Sequence, residues 1–121
     1  MTYREEVVQE LVSIWYSMLV GYHKDRDCRF TITQEWKYAG KMVWTFEHRG
    51  YLYPYEEAGE FVTYNEACDA LIEWLMYIIG EESKYDNDRT EKQSNDCVEA
   101  YRKAKLVHEK FIAGRFKEEE K

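Results

Sequence analysis

The stretch FVTYNEACDALIEWLMYIIG, Phe61 to Gly80, carries charge only at Glu66, Asp69 and Glu73. Spacings of three and four residues set those acids on one narrow stripe of a helix and leave most of its circumference apolar. Such a helix is buried on more than one side. Over residues 63 to 79 it is roughly 25 Å long at 1.5 Å per residue, enough to cross a small domain. Thr63-Tyr64-Asn65-Glu66 has the Ser/Thr-x-x-Glu form of a capping box, and Gly80 is read as the stop.

Working back from this central helix, the apolar period changes from helical to two. Cys28, Phe30, Ile32 and Trp36 alternate with Arg29, Thr31, Thr33 and Glu35, and Met42, Trp44, Phe46 and His48 repeat the pattern. These are half-buried strands over 28–36 and 41–48. A three-residue loop Tyr38-Ala39-Gly40 pairs Lys37 with Lys41 and Trp36 with Met42, bringing both apolar sets to one face. A tight turn at Arg49-Gly50 then puts Tyr51 opposite His48, Tyr53 opposite Phe46 and Tyr55 opposite Trp44. Pro54 cannot donate to a ladder, so the strand over 51–55 is an edge, followed by a connecting loop at Glu56-Glu57-Ala58-Gly59.

Upstream, Thr2-Tyr3-Arg4-Glu5 repeats the capping box, and Val7, Val8, Leu11, Val12, Ile14, Trp15, Met18, Leu19 and Tyr22 follow at helical spacing, predicting an amphipathic helix over 2–22. Downstream, Glu81 to Asp96 is almost wholly polar and reads as an exposed loop over 81–95, although Thr90-Glu91-Lys92-Gln93 offers an earlier helix start. Cys97, Val98, Tyr101, Ala104, Val107, His108, Phe111 and Ile112 predict a C-terminal helix over 96–113 with Gly114 as its stop.

Aromatic residues make up 17 % of the 121 residues, with 11 Tyr and 4 Trp, which excludes a disordered chain and implies one domain with an aromatic core or contact surface. The net charge of −7 is unevenly placed: residues 1 to 96 hold 10 Lys/Arg against 19 Asp/Glu, while residues 97 to 121 hold 7 against 5. An acidic body disfavours phosphate contacts and anionic membranes and favours a basic protein partner. MTYREEVVQE lacks the basic start and apolar run of a signal peptide, and no apolar run reaches membrane-spanning length, so a cytoplasmic location is expected. Cys28, Cys68 and Cys97 have neither disulfide-framework nor zinc-ribbon spacing and are expected as thiols.

Little in the chain resembles a catalytic constellation. His23, His48 and His108 have no metal-ligand neighbour at a helix or turn spacing, and Cys28 or Cys68 beside His48 is better read as core than as a thiol–imidazole pair. Glu66, Asp69 and Glu73 are the alternative, a carboxylate stripe able to hold a divalent cation or do acid–base work, although such a stripe is usually a wet helix face. Phosphate-loop, dinucleotide, nucleophile-elbow and zinc-protease motifs are absent, so no cofactor, metal or catalytic residue is expected. The remaining feature is aromatic excess beside acid. Tyr53 and Tyr55 as anchors with Glu56, Glu57 and Glu60 as charged contacts form the candidate partner-binding surface, with Glu81 to Asp96 as the alternative face.

The order helix, three strands, helix over residues 2 to 80 resembles the double-stranded-RNA-binding domain. Where that family is basic, at the start of its last helix, this chain reads Tyr64-Asn65-Glu66-Ala67-Cys68-Asp69, so the likeness extends to element order and not to the RNA-contacting residues. The segment Phe61 to Ala67 and the short, acidic, cofactor-free character also resemble small accessory proteins of bacteriophages and mobile elements, anti-CRISPR inhibitors among them. That resemblance implies an inhibitor or adaptor. The sequence thus predicts an α+β domain, α-β-β-β-α-α, with a three-stranded antiparallel sheet packed by helices on one face. It predicts a non-enzymatic inhibitor of a basic nucleic-acid-handling protein. A homo-oligomeric assembly subunit, such as a homodimer, and a small enzyme using the carboxylate stripe are the alternatives.

Overall fold

Three Thr-x-x-Glu/Gln boxes start three helices in the computed structural model, which describes residues 2–18, 29–37, 41–49, 56–84 and 89–119, with side chains over 2–18, 61–84 and 89–114. Helix α1 spans Tyr3–Met18, α2 Tyr64–Lys84 and α3 Glu91–Glu119. At α1 the Glu5 N–H donates to Thr2 Oγ1 (3.2 Å) and the Thr2 N–H to Glu5 Oε1 (3.3 Å). At α3 the Gln93 N–H donates to Thr90 Oγ1 (3.1 Å) and the Thr90 N–H to Gln93 Oε1 (2.8 Å). At α2 the Glu66 N–H donates to Thr63 Oγ1 (3.1 Å), while Glu66 Oε2 accepts from the Val62 N–H (3.2 Å), one residue earlier than in a standard box. Each box satisfies donors that a helix start otherwise leaves open.

The buried apolar residues lie on these helices: Val7, Leu11, Ile14, Trp15 and Met18 on α1; Ala67, Cys68, Leu71, Ile72, Leu75, Ile78 and Ile79 on α2; Cys97, Ala104 and Phe111 on α3. Among the residues whose side chains are described, 91 % are helical. The expected α+β class, with helices laid on one face of a sheet, is therefore corrected: the packed body is all-α, and helix-on-helix contact builds its core. The physical reason lies in α3. Its residues Cys97, Tyr101, Ala104, His108 and Phe111 step by four and three, the period that keeps one seam turned towards neighbouring helices. The Tyr3 and Phe111 rings lie 6.1 Å apart, Cys97 Sγ donates to the Met18 carbonyl (3.6 Å), and His108 Nε2 reaches Glu73 Oε1 (2.7 Å). These contacts run α3 antiparallel to both α1 and α2, so α1 and α2 are parallel and need the long connection that residues 19 to 63 supply.

Within that connection the backbone forms strands β1 (Arg29–Lys37), β2 (Lys41–Arg49) and β3 (Glu56–Phe61), paired antiparallel in the order β1-β2-β3. β1 and β2 pair Trp36 with Met42 and Lys37 with Lys41. The third strand differs from the sequence reading. Residues 50–55, and with them Tyr51, Tyr53, Pro54 and Tyr55, lie outside the described residues, and the partners of β2 come from the segment read as a loop: His48 pairs with Glu56, Glu47 with Glu57, Phe46 with Ala58 and Trp44 with Phe61. A register shift between Trp44 and Phe46 accommodates the extra residue, Gly59-Glu60 facing Thr45 alone. A strand with Pro54 inside lacks a ladder donor there, whereas Glu56–Phe61 has all of its own.

By compactness the chain divides into two units, Met1–Val20 with Ile72–Lys121, and Gly21–Leu71, the boundary falling inside α2. Other element ends also move. α1 ends at Met18, and residues 19–28, with Cys28, His23 and the predicted end of the first helix, lie outside the described residues. The polar loop over 81–95 is largely helix, because α2 continues to Lys84 and the box at Thr90 starts α3 before 96. Neither Gly80 nor Gly114 stops a helix. A methyl at Gly80 would come within 3.4 Å of Tyr101 Oη, and one at Gly114 within 3.7 Å of the Tyr3 ring, so each glycine is a close approach between helices.

Two stability changes are expected from this anatomy. Thr63→Ala lowers stability by about 1 kcal/mol, since it opens the donors of the first turn of α2; a chemical-denaturation midpoint unchanged at constant slope rules this out. Gly80→Ala raises stability by about 0.5–1 kcal/mol, because the methyl meets Tyr101 at ordinary contact distance while the unfolded chain loses freedom. A lower melting temperature for Gly80→Ala would show that the α2–α3 approach does not accept it.

Candidate functional site

The residues that the sequence nominates for a partner fall on different ground. Tyr53 and Tyr55 lie outside the described residues. Glu56, Glu57 and Glu60 stand on β3, which is an edge strand of the three, rather than on a loop. Glu57 is set in register with Glu47, and Glu56 with His48.

The carboxylate stripe of α2 does not act as one group. Glu66 closes the helix cap, and Glu73 is bonded at 2.7 Å to His108 of α3, so the two carboxylates are held by different partners. Asp69 between them is half-buried. Among the described residues no three His, Cys, Asp or Glu side chains converge on a common point suited to a metal ion. His108, which has no sequence neighbour to pair with, finds Glu73 only because α3 runs back along α2. The alternative acidic face, Glu81 to Asp96, is also divided: Glu81, Glu91 and Asp96 are exposed, whereas Glu82 is buried.

Glu82 belongs to the polar cluster that sequence reasoning missed. Its carboxylate meets the Arg89 guanidinium at 2.8 Å, with the two side chains only 2 % and 1 % exposed. Arg89 Nη1 also donates to the Glu82 carbonyl (2.8 Å) and Nη2 to the Met18 carbonyl (2.9 Å), so one cation serves the last turns of both α1 and α2. Cys97 adds its S–H to the same Met18 carbonyl (3.6 Å), and burial pushes its thiol pKa up, which keeps that donor in place. Glu82 Oε2 has no hydrogen-bond partner among the described residues. Burial raises the Glu82 pKa, and attraction to Arg89 offsets only part of that. A signal was present in the sequence. Glu82 continues the spacing of Leu75, Ile78 and Ile79, so a buried position carries an acid, and Arg89 is the only arginine between Arg49 and Arg102.

Among the described residues no helix is long and apolar enough to cross a membrane. No family model, curated protein or solved structure matches the chain.

The Glu82 carboxyl binds its proton more tightly in the folded than in the unfolded chain. Its contribution to stability is therefore full below the unfolded value near 4.5 and is lost as pH rises through the raised folded value. Relative to Glu82→Gln, the wild type is expected to gain stability as pH falls from 7 towards 4.5, measured by urea midpoints of both proteins. Parallel pH profiles for the two would overturn that assignment.

Proposed function

We propose that this chain is a non-enzymatic, acidic interaction protein of the cytoplasm that occupies the basic surface of a nucleic-acid-handling protein and blocks it. The observation that carries the reading is the edge strand β3, where Glu56, Glu57 and Glu60 lie together and Glu57 is in register with Glu47. An edge strand presents open backbone donors and acceptors to a second chain, and acids along it favour a partner that otherwise holds phosphates. The excess of 19 acids over 10 bases in residues 1 to 96 supplies the long-range part. Attraction speeds encounter at low salt, and aromatic side chains buried at contact, Tyr53 and Tyr55, slow dissociation.

The experiment is affinity capture from the native host with the immobilised protein, followed by kinetics on the captured partner. Reversing Glu56, Glu57 and Glu60 to Lys is expected to lower the association rate by about tenfold or more at low salt and to flatten its salt dependence, whereas Tyr53→Ala or Tyr55→Ala mainly speeds dissociation. Added DNA or RNA is expected to compete. Binding unchanged by the reversals and indifferent to nucleic acid rules the proposal out.

A further inference from the structure

Along the seam between α1 and α3 runs an open groove of about 240 Å3, floored by Tyr3, Val7 and Val107 and overlooked by Leu106, which is 58 % exposed. Its two walls carry opposite charge. Glu6 and Glu10, one helical turn apart on α1, line one side, and Lys103 and Lys110, two turns apart on α3, line the other. Among the described residues none of these four side chains is engaged in an ion pair or hydrogen bond, although acids and bases face each other across the groove. Four exposed, unpaired charges around an exposed leucine form a surface with its own complement built in.

We infer that this groove is the interface of a homodimer, in which each copy lays its α1 over the other's α3. The charge pattern selects the symmetry. A two-fold axis parallel to the groove brings the acidic wall of one copy over the basic wall of the other, whereas an axis across the groove sets acid on acid and base on base. Because α1 and α3 are antiparallel, the first arrangement also makes all four neighbouring helices antiparallel, the favourable arrangement of helix dipoles in a four-helix bundle. It keeps levels matched too, since Glu6 lies near the Lys110 end of the groove and Glu10 near the Lys103 end. Leu106 of each copy then leaves water against the partner's α1. The paired charges lie at the rim, so they set orientation and salt dependence more than strength.

The test uses two complementary variants of the full chain. Glu6→Lys/Glu10→Lys makes both walls basic, and Lys103→Glu/Lys110→Glu makes both acidic. By sedimentation equilibrium the wild type is expected to dimerise with a dissociation constant that rises with NaCl, and each variant alone is expected to show a dissociation constant about tenfold or more higher. Mixing the two variants is expected to give a one-to-one heterodimer, and the quadruple charge swap to restore the homodimer. All four positions are exposed or on the groove rim, and helical circular dichroism checks that each variant is folded; the salt dependence of the wild type tests the interface even if one is not. A wild type that stays monomeric, or a dimer indifferent to both reversals and to salt, or variants that fail to associate when mixed, overturns the inference.

Discussion

The guanidinium of Arg89 stands where the C-terminal ends of α1 and α2 come together. Parallel helices bring their last carbonyls, and the negative ends of their dipoles, to the same side of the molecule, which is unfavourable unless a cation or donors lie between them. Arg89 supplies both, with bonds to the Met18 and Glu82 carbonyls and to the Glu82 carboxylate. Removing one partner of a buried pair generally costs about 3–5 kcal/mol, since the other charge is left out of water without its counterion. The direction of α3 depends on the same point, for its first buried residue, Cys97, bonds to Met18 as well. That junction settles which way the three helices run, and the seam of α3 then does the packing.

The acidic character of the chain is divided between two kinds of place. In the helical body, acids are mostly engaged: Glu5 and Glu66 in caps, Glu73 with His108, Glu82 with Arg89. On β3 the acids are placed in sequence along an edge and opposite another glutamate. A carboxylate that closes a helix cap is part of the fold, and Glu66 of the α2 stripe is one. Glu6 and Glu10 are among the acids of the helical body whose side chains are not engaged, and they face lysines they do not touch.

Several features were legible in the sequence because they are local. Thr2, Thr63 and Thr90 each precede a Glu or Gln by three residues, and the pairing of Lys37 with Lys41 across three intervening residues, with Trp36 opposite Met42, follows from alternation and turn length. Those signals depend on neighbours within a few positions, where backbone geometry leaves few choices. The same is true of the α2 stripe, where Glu66 and Glu73 are exposed as the spacing requires.

What only the tertiary structure decided was each residue's distant partner. Aromatic alternation in the strands implied a sheet packed by helices on one face, yet the described core lies among helices, because the heptad-like seam of α3 offers α1 and α2 a surface that local pattern does not weigh against a sheet. Gly80 and Gly114 read as stops, but at each the helix continues and a tyrosine of a neighbouring helix lies at contact distance from where a side chain would begin. Glu82 and Arg89 read as part of an exposed loop and His108 as a position on the packing face of the last helix, and their roles come from partners 7, 71 and 35 residues away. Charge and period along the chain determine what each segment can bury; which segment arrives to bury it depends on the direction in which the helices run.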